Sequence, residues 1–271
     1  MRGLKASPGG ASAESYGVFV AQGSRLGRVA DGCPASARTQ SLHDEFRAMV
    51  LSGVYPCVLA ASAMRGGNYA FGLYREFGGD RSAGDLAEDI GWFVRTHPTS
   101  SVPQEPFTTF IAMFDGPVAT SEADFERLMW RHLGRLHDHD RRRFEWDPTV
   151  SADPADPRFS FSVAGSAFFI VGMHPKASRI ARMTSLPTLV FNRHEQFEEL
   201  RRRRQMARFT EIIRARDRRM QGHPYATLAH YGDISEARQY AGREAAADWQ
   251  CPFVPRAAPT ADQPDSAHAG G

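Results

Sequence analysis

Apolar positions along this chain follow two rhythms, one helical and one alternating. From Ser82 to His97, Leu86, Ile90 and Phe93 share a stripe at helical spacing. From Glu122 to His137, Phe125, Leu128, Met129, His132 and Leu136 do the same. Ser41 to Leu51 predicts a helix capped by Ser41, and Gly53 ends it. The last and longest helix is expected over Arg193 to Met220, with Phe197, Leu200, Phe209 and Ile213 inward. Between these stand short runs rich in aromatic and β-branched residues, at Tyr69–Phe77, Phe107–Phe114, Phe159–Val163, Ala167–Met173 and Thr188–Phe191. A hairpin is expected around Gly165-Ser166. Trp146 to Pro157 carries three Asp-Pro dipeptides and is expected to be irregular. Strands and helices mix without a strict βαβ rhythm. The class expected is α+β, a single domain with a largely antiparallel central sheet flanked by helices.

Residues 1–38 are rich in Ala, Gly, Ser and Arg, which predicts a flexible leader. Residues 255–271 predict a disordered tail, and residues 39–254 one folded domain. The net charge of +2 is too small to argue for nucleic acid. The run Arg201–Arg204 lies on the expected long helix as a solvated face. No run reaches the roughly 18 apolar residues of a membrane helix, so no membrane partner is expected. No apolar segment follows the first basic residues, and the three cysteines are widely spaced. Both features favour a reducing cytoplasm.

Candidate chemistry concentrates in Phe168–Phe197. An apolar strand delivers His174 to its end, Arg179 and Arg182 follow, and a second strand delivers His194 to a helix start. Imidazoles and guanidinium groups fixed at strand ends suit a cofactor with carboxylates and a coordinating metal, haem first among them. A second cluster, His132, His137 and His139, sits with Asp138 and Asp140 near a helix end. Asp138 or Asp140 could orient a ligating imidazole. The plainer reading is solvated histidines at the negative end of a helix dipole. Cys57 is a third ligand candidate, although a small buried cysteine is the commoner meaning. No GxGxxG, Walker loop, HExxH or GxSxG motif occurs.

The segments YPCVLAASAMRGGNYAFGLY, LHDHD, DPRFSFSVAGSAFFIVGMHPKASRIAR, LVFNRHEQF, YGDISEARQYAG and WQCPF, in this order, resemble the YqcI/YcgG family from about Leu42 to Phe253. That resemblance implies a cytoplasmic haem b monooxygenase that N-hydroxylates a guanidine group with dioxygen and an external electron donor. Its implied substrate is L-arginine or a close analogue, converted to Nω-hydroxy-L-arginine in D-cycloserine-type natural-product biosynthesis. His137 is the first choice of axial ligand and His174 the second. Arg179 and Arg182 are expected to hold a haem propionate or the substrate carboxylate. Glu76, Glu105 and Asp115 are the candidates for the substrate guanidinium. A homodimer stays open. Two other classes compete: a non-catalytic haem carrier or sensor, and a non-haem metal oxygenase using His132, Asp138 or His174.

Overall fold

The computed structural model describes residues 16–97, 107–223 and 231–257. Among these residues, seven strands form one sheet: β1 (Gly17–Gln22), β2 (Arg25–Arg28), β3 (Tyr69–Glu76), β4 (Thr109–Gly116), β5 (Phe161–Val163), β6 (Ser166–Met173) and β7 (Thr188–Arg193). Their order is β2-β1-β3-β4-β7-β6-β5. Among the described residues, only β3 and β4 pair as parallel strands. A parallel pair needs a crossover, and helix α3 (Asp80–Thr96) lies within it. Every other strand pair is antiparallel. The fold is α+β, as the mixed rhythms predict.

Side chains alternate across a strand, so the apolar runs of the central strands feed two cores. Phe110, Ala112 and Phe114 of β4 join Ile170 of β6 and Phe191 of β7 on one face. There they meet α3 and α4 (Glu122–Asp140) through Leu86, Ile90, Phe93, Phe125, Met129 and Leu133. Ile111, Met113, Met173 and Val190 point to the other face. Helices α1 (Ala37–Leu51) and α2 (Val58–Gly66) cover part of it with Phe46, Val50, Ala61 and Met64. Burial on both faces explains why these strands read as nearly continuous apolar runs.

Several local expectations change. The leader expected over 1–38 is, from residue 16, part of the sheet: β1 pairs with both β2 and β3. Val18, Phe19 and Leu26 are buried there; these few apolar positions are too short a run to show a period. Helix α1 starts earlier than expected, because the Ser36 hydroxyl, not that of Ser41, accepts the Thr39 N–H at 3.2 Å. Helix α2 is additional: nine residues between two turns carry too little periodicity to stand out. The long C-terminal helix is two, α5 (His194–Arg202) and α6 (Met206–Gln221), separated where Arg204 takes φ +58°. A last short helix, α7 (Ala237–Tyr240), packs on β6.

Other signals hold. The β5–β6 hairpin turns through Ala164 (φ +53°) and Gly165 (φ +68°), the positive pair that a two-residue turn of this twist requires. In the Asp-Pro segment, Asp147, Asp153 and Asp156 each accept the N–H two residues on. Such turns compete successfully with regular structure. The tail expected over 255–271 lies outside the described residues beyond 257. Among the described residues, no helix is long and apolar enough to cross a membrane.

Candidate functional site

Helices α1 and α2 cover only part of the second sheet face. Beyond them lies a cavity of about 220 Å³, walled by the sheet, α1, α2, α5 and α6. Its floor is Ile111 of β4, Phe169, Val171 and Met173 of β6, and Val190 and Asn192 of β7. Phe46 and Val50, Leu59 and Met64, Phe197, Met206 and Ile213 close the sides. A wider groove of about 1020 Å³ lies near the β1 end, but charged side chains such as Arg28, Asp31, Arg81 and Glu88 line it. The smaller cavity is the better binding site, because apolar walls with a few convergent polar groups both bury and orient a ligand.

Three of the expected site residues reach this cavity: Cys57, Arg179 and Arg182. Cys57 is the N-cap of α2, and its Sγ accepts the Ala60 N–H at 3.4 Å. Burial pushes its thiol pKa up, opposed by the Ala60 and Leu59 amides and by the Arg182 charge. Arg179 forms a buried ion pair with Asp217 of α6. Arg182 donates Nη1 to the Gly172 carbonyl at 3.0 Å and the Tyr240 carbonyl at 3.2 Å, and Nη2 to the Gln239 carbonyl at 3.4 Å. It thereby ties α7 to β6.

His132, His137 and His174 lie elsewhere, while His194 packs behind the cavity residues Tyr231 and Glu236. His137 is packed against Trp146 and Phe253, and its Nε2 is 3.0 Å from the Arg256 N–H that it accepts. Burial lowers its pKa. His174 stacks on Phe125 of α4 with ring centroids 4.2 Å apart, and its Nδ1 accepts the Lys176 N–H at 3.2 Å. His132 lies in the same core, its Nδ1 accepting the Gly78 N–H at 3.1 Å. Burial pushes His132 down to about 3 and His174 down to about 4. Both keep an Nε2 with no partner among the described residues.

The expected guanidinium acceptors also stand apart from the cavity. Asp115, near the end of β4, takes the Tyr16 hydroxyl at 2.5 Å and pairs with Arg38. Glu76 ends β3 on the surface. Glu105 lies outside the described residues. His132, Asp138 and His174 do not converge: among the described residues, no group of three His, Cys, Asp or Glu side chains is arranged to hold a metal ion. Arg201 pairs with Glu198, while Arg202 and Arg203 both pair with Glu199.

Residues that sequence reasoning passed over complete the wall. Tyr231, Glu236 and Gln239, all from the segment YGDISEARQYAG, line the cavity beside Asp217. Glu236 immediately precedes α7 and Gln239 follows at i+3, so one turn of helix presents both on one side. An acid and an amide at i, i+3, directly before a buried tyrosine, were the available signal.

A known family model matches the chain over residues 46–254. The chain belongs to the YqcI/YcgG family. No curated protein and no solved structure matches it. The family match spans every cavity residue from Phe46 to Gln239 and leaves the β1–β2 hairpin outside. The walls of this YqcI/YcgG cavity are mostly apolar. Of the side-chain types that ligate haem iron, the described residues of the cavity offer Cys57, three methionines and two tyrosines, and among them no histidine.

Proposed function

We propose that this protein is a haem-dependent monooxygenase that N-hydroxylates the guanidine group of L-arginine or a close analogue, as in D-cycloserine-type biosynthesis. The observation that carries the reading is the cavity itself: apolar walls, a cysteine on one side and a buried carboxylate on another. When bound, haem supplies the activation of dioxygen that the protein's own side chains lack. One oxygen atom enters an N–H bond of the guanidine. The other leaves as water, with two electrons and two protons from an external donor.

Cys57 is the residue we assign as the iron ligand, in preference to His137 and His174. Its sulfur stands at the cavity wall, whereas His137 is held by the Arg256 backbone and His174 by the Phe125 stack. A bound metal would displace the thiol proton that burial otherwise favours. Phe46, Val171 and Met173 would cover the macrocycle and exclude water. Arg182, fixed by three carbonyls, sets the distance between β6 and α7, and so the width of the site.

The test is spectroscopic. Protein supplied with hemin is expected to bind it and to show the thiolate type of ferrous–CO band. Cys57→Ser keeps a good helix cap and is expected to lose that band and most of its haem, while His137→Ala keeps both. A Cys57→Ser protein with an unaltered spectrum, paired with a colourless His137→Ala, would return the ligand to His137. Wild-type protein that never takes up hemin would end the proposal. Turnover is read as an L-arginine product heavier by one oxygen atom.

A further inference from the structure

Glu236 is a buried carboxylate with too few donors. It is 4% exposed. A carboxylate presents about four acceptor positions. Its Oε2 lies 3.3 Å from the Tyr240 hydroxyl, but that one proton also faces the Phe168 carbonyl at 3.1 Å. His194 Nδ1 stands 3.7 Å from Oε1, within ion-pair distance when the imidazole is protonated but outside hydrogen-bond reach. Gln239 is 2% exposed, and its Oε1 has no partner among the described residues. Both side chains line the cavity.

The nearby cations are engaged otherwise. Arg201 pairs with Glu198 and lies 5.0 Å over the Tyr231 ring. Arg179 pairs with Asp217. Arg182 donates to backbone carbonyls. A buried charge and a buried amide oxygen left with acceptor capacity are costly unless a ligand supplies donors. The group that matches is cationic and carries several N–H donors.

We propose that Glu236 and Gln239 form the subsite for the guanidinium head of the substrate, in place of Glu76, Glu105 and Asp115. This inference rests on the proposed function for its substrate class. A guanidinium is a planar fork with five N–H donors. Two can meet the carboxylate side by side, and a third can meet the amide oxygen of Gln239. The Phe107–Phe197 pair, 5.4 Å between centroids, and Phe169, 6.1 Å from Phe197, line the same cavity for the aliphatic part of the ligand. The arrangement selects against L-citrulline, which is nearly isosteric with L-arginine but neutral.

Calorimetric titration of the haem-supplied protein with L-arginine and L-citrulline tests the subsite, with haem content measured on the same samples by absorption. Wild type is expected to prefer L-arginine at least about tenfold. Glu236→Gln is expected to weaken L-arginine binding about 10- to 100-fold and to abolish that preference at unchanged haem content. Gln239→Leu, which keeps the carboxylate, is expected to weaken L-arginine binding about tenfold and serves if the first variant does not fold. Wild-type affinity for L-arginine in either folded variant overturns the subsite. Protein that binds haem but not L-arginine overturns it too and leaves the cofactor reading standing. Protein that binds L-arginine through Glu236 without haem does the reverse.

Discussion

A methyl group at Gly172 would lie 2.7 Å from Cε1 of Phe125 and 2.8 Å from the Tyr240 carbonyl oxygen. The first contact is a packed core ring and the second is backbone, so neither yields cheaply. Glycine at this point of β6 lets the end of α7 approach the sheet, with Arg182 clamping the contact. Gly172→Ala is therefore expected to cost about 1–3 kcal/mol of stability, read as a lower midpoint in urea. It should also weaken L-arginine binding, because Glu236 and Gln239 ride on the displaced helix. Gly172 was legible in the sequence only as one residue of an apolar strand. Its close approach to residue 240 joins positions that are far apart along the chain.

At the scale of elements, α5 and α6 show what periodicity alone misses. Their apolar positions can be read as one helical stripe, and no glycine or proline marks a break. The chain turns at Arg204, an exposed residue with φ +58°. A residue with a Cβ is disfavoured in that region. Arg204→Gly is expected to raise stability by about 0.5–1 kcal/mol, measured by chemical denaturation, with the cavity unchanged. A loss of stability would mean that the Arg204 side chain contributes more than its backbone costs. Helix α4, by contrast, was legible almost residue by residue. Ser121 caps it at the Asp124 N–H, and Phe125, Leu128, Met129, Leu133 and Leu136 form its buried stripe.

At the scale of the whole molecule, the core on the α3–α4 side holds two neutral imidazoles. His132 is pushed down to about 3 and His174 to about 4 by burial. An unfolded histidine titrates near 6.5, so the unfolded chain takes up these protons first. Their contribution is full above about pH 6.5 and is lost as pH falls toward the folded values. Asp89 and Asp140, each pushed up to about 6 by burial, act in the opposite sense between about pH 4 and 6. The variant comparison isolates one histidine. His132→Gln keeps an acceptor for the Gly78 amide, and between pH 7 and 5 its stability relative to wild type should rise by about 2 kcal/mol. Parallel pH profiles for the two proteins would show that His132 is already accessible to protons.

The amino-acid sequence by itself determined the class, most strands and the two large amphipathic helices. Those depend on period and turn chemistry within a dozen residues, where local sterics and burial act directly. It also placed Cys57, Arg179 and Arg182 among the candidates, because their residue types carry chemistry wherever they sit. Only the tertiary structure decided which candidates share a site. His132 sits on α4 and His174 stacks against that helix, the cavity lies on the opposite face of the sheet, and the His137 imidazole accepts the Arg256 amide. It also brings Glu236 and Gln239 to the wall that Cys57 helps to form. Side-chain alternation across a sheet fixes which face a residue serves. Which helices then cover that face, and where they leave space, depends on contacts between segments far apart in the chain.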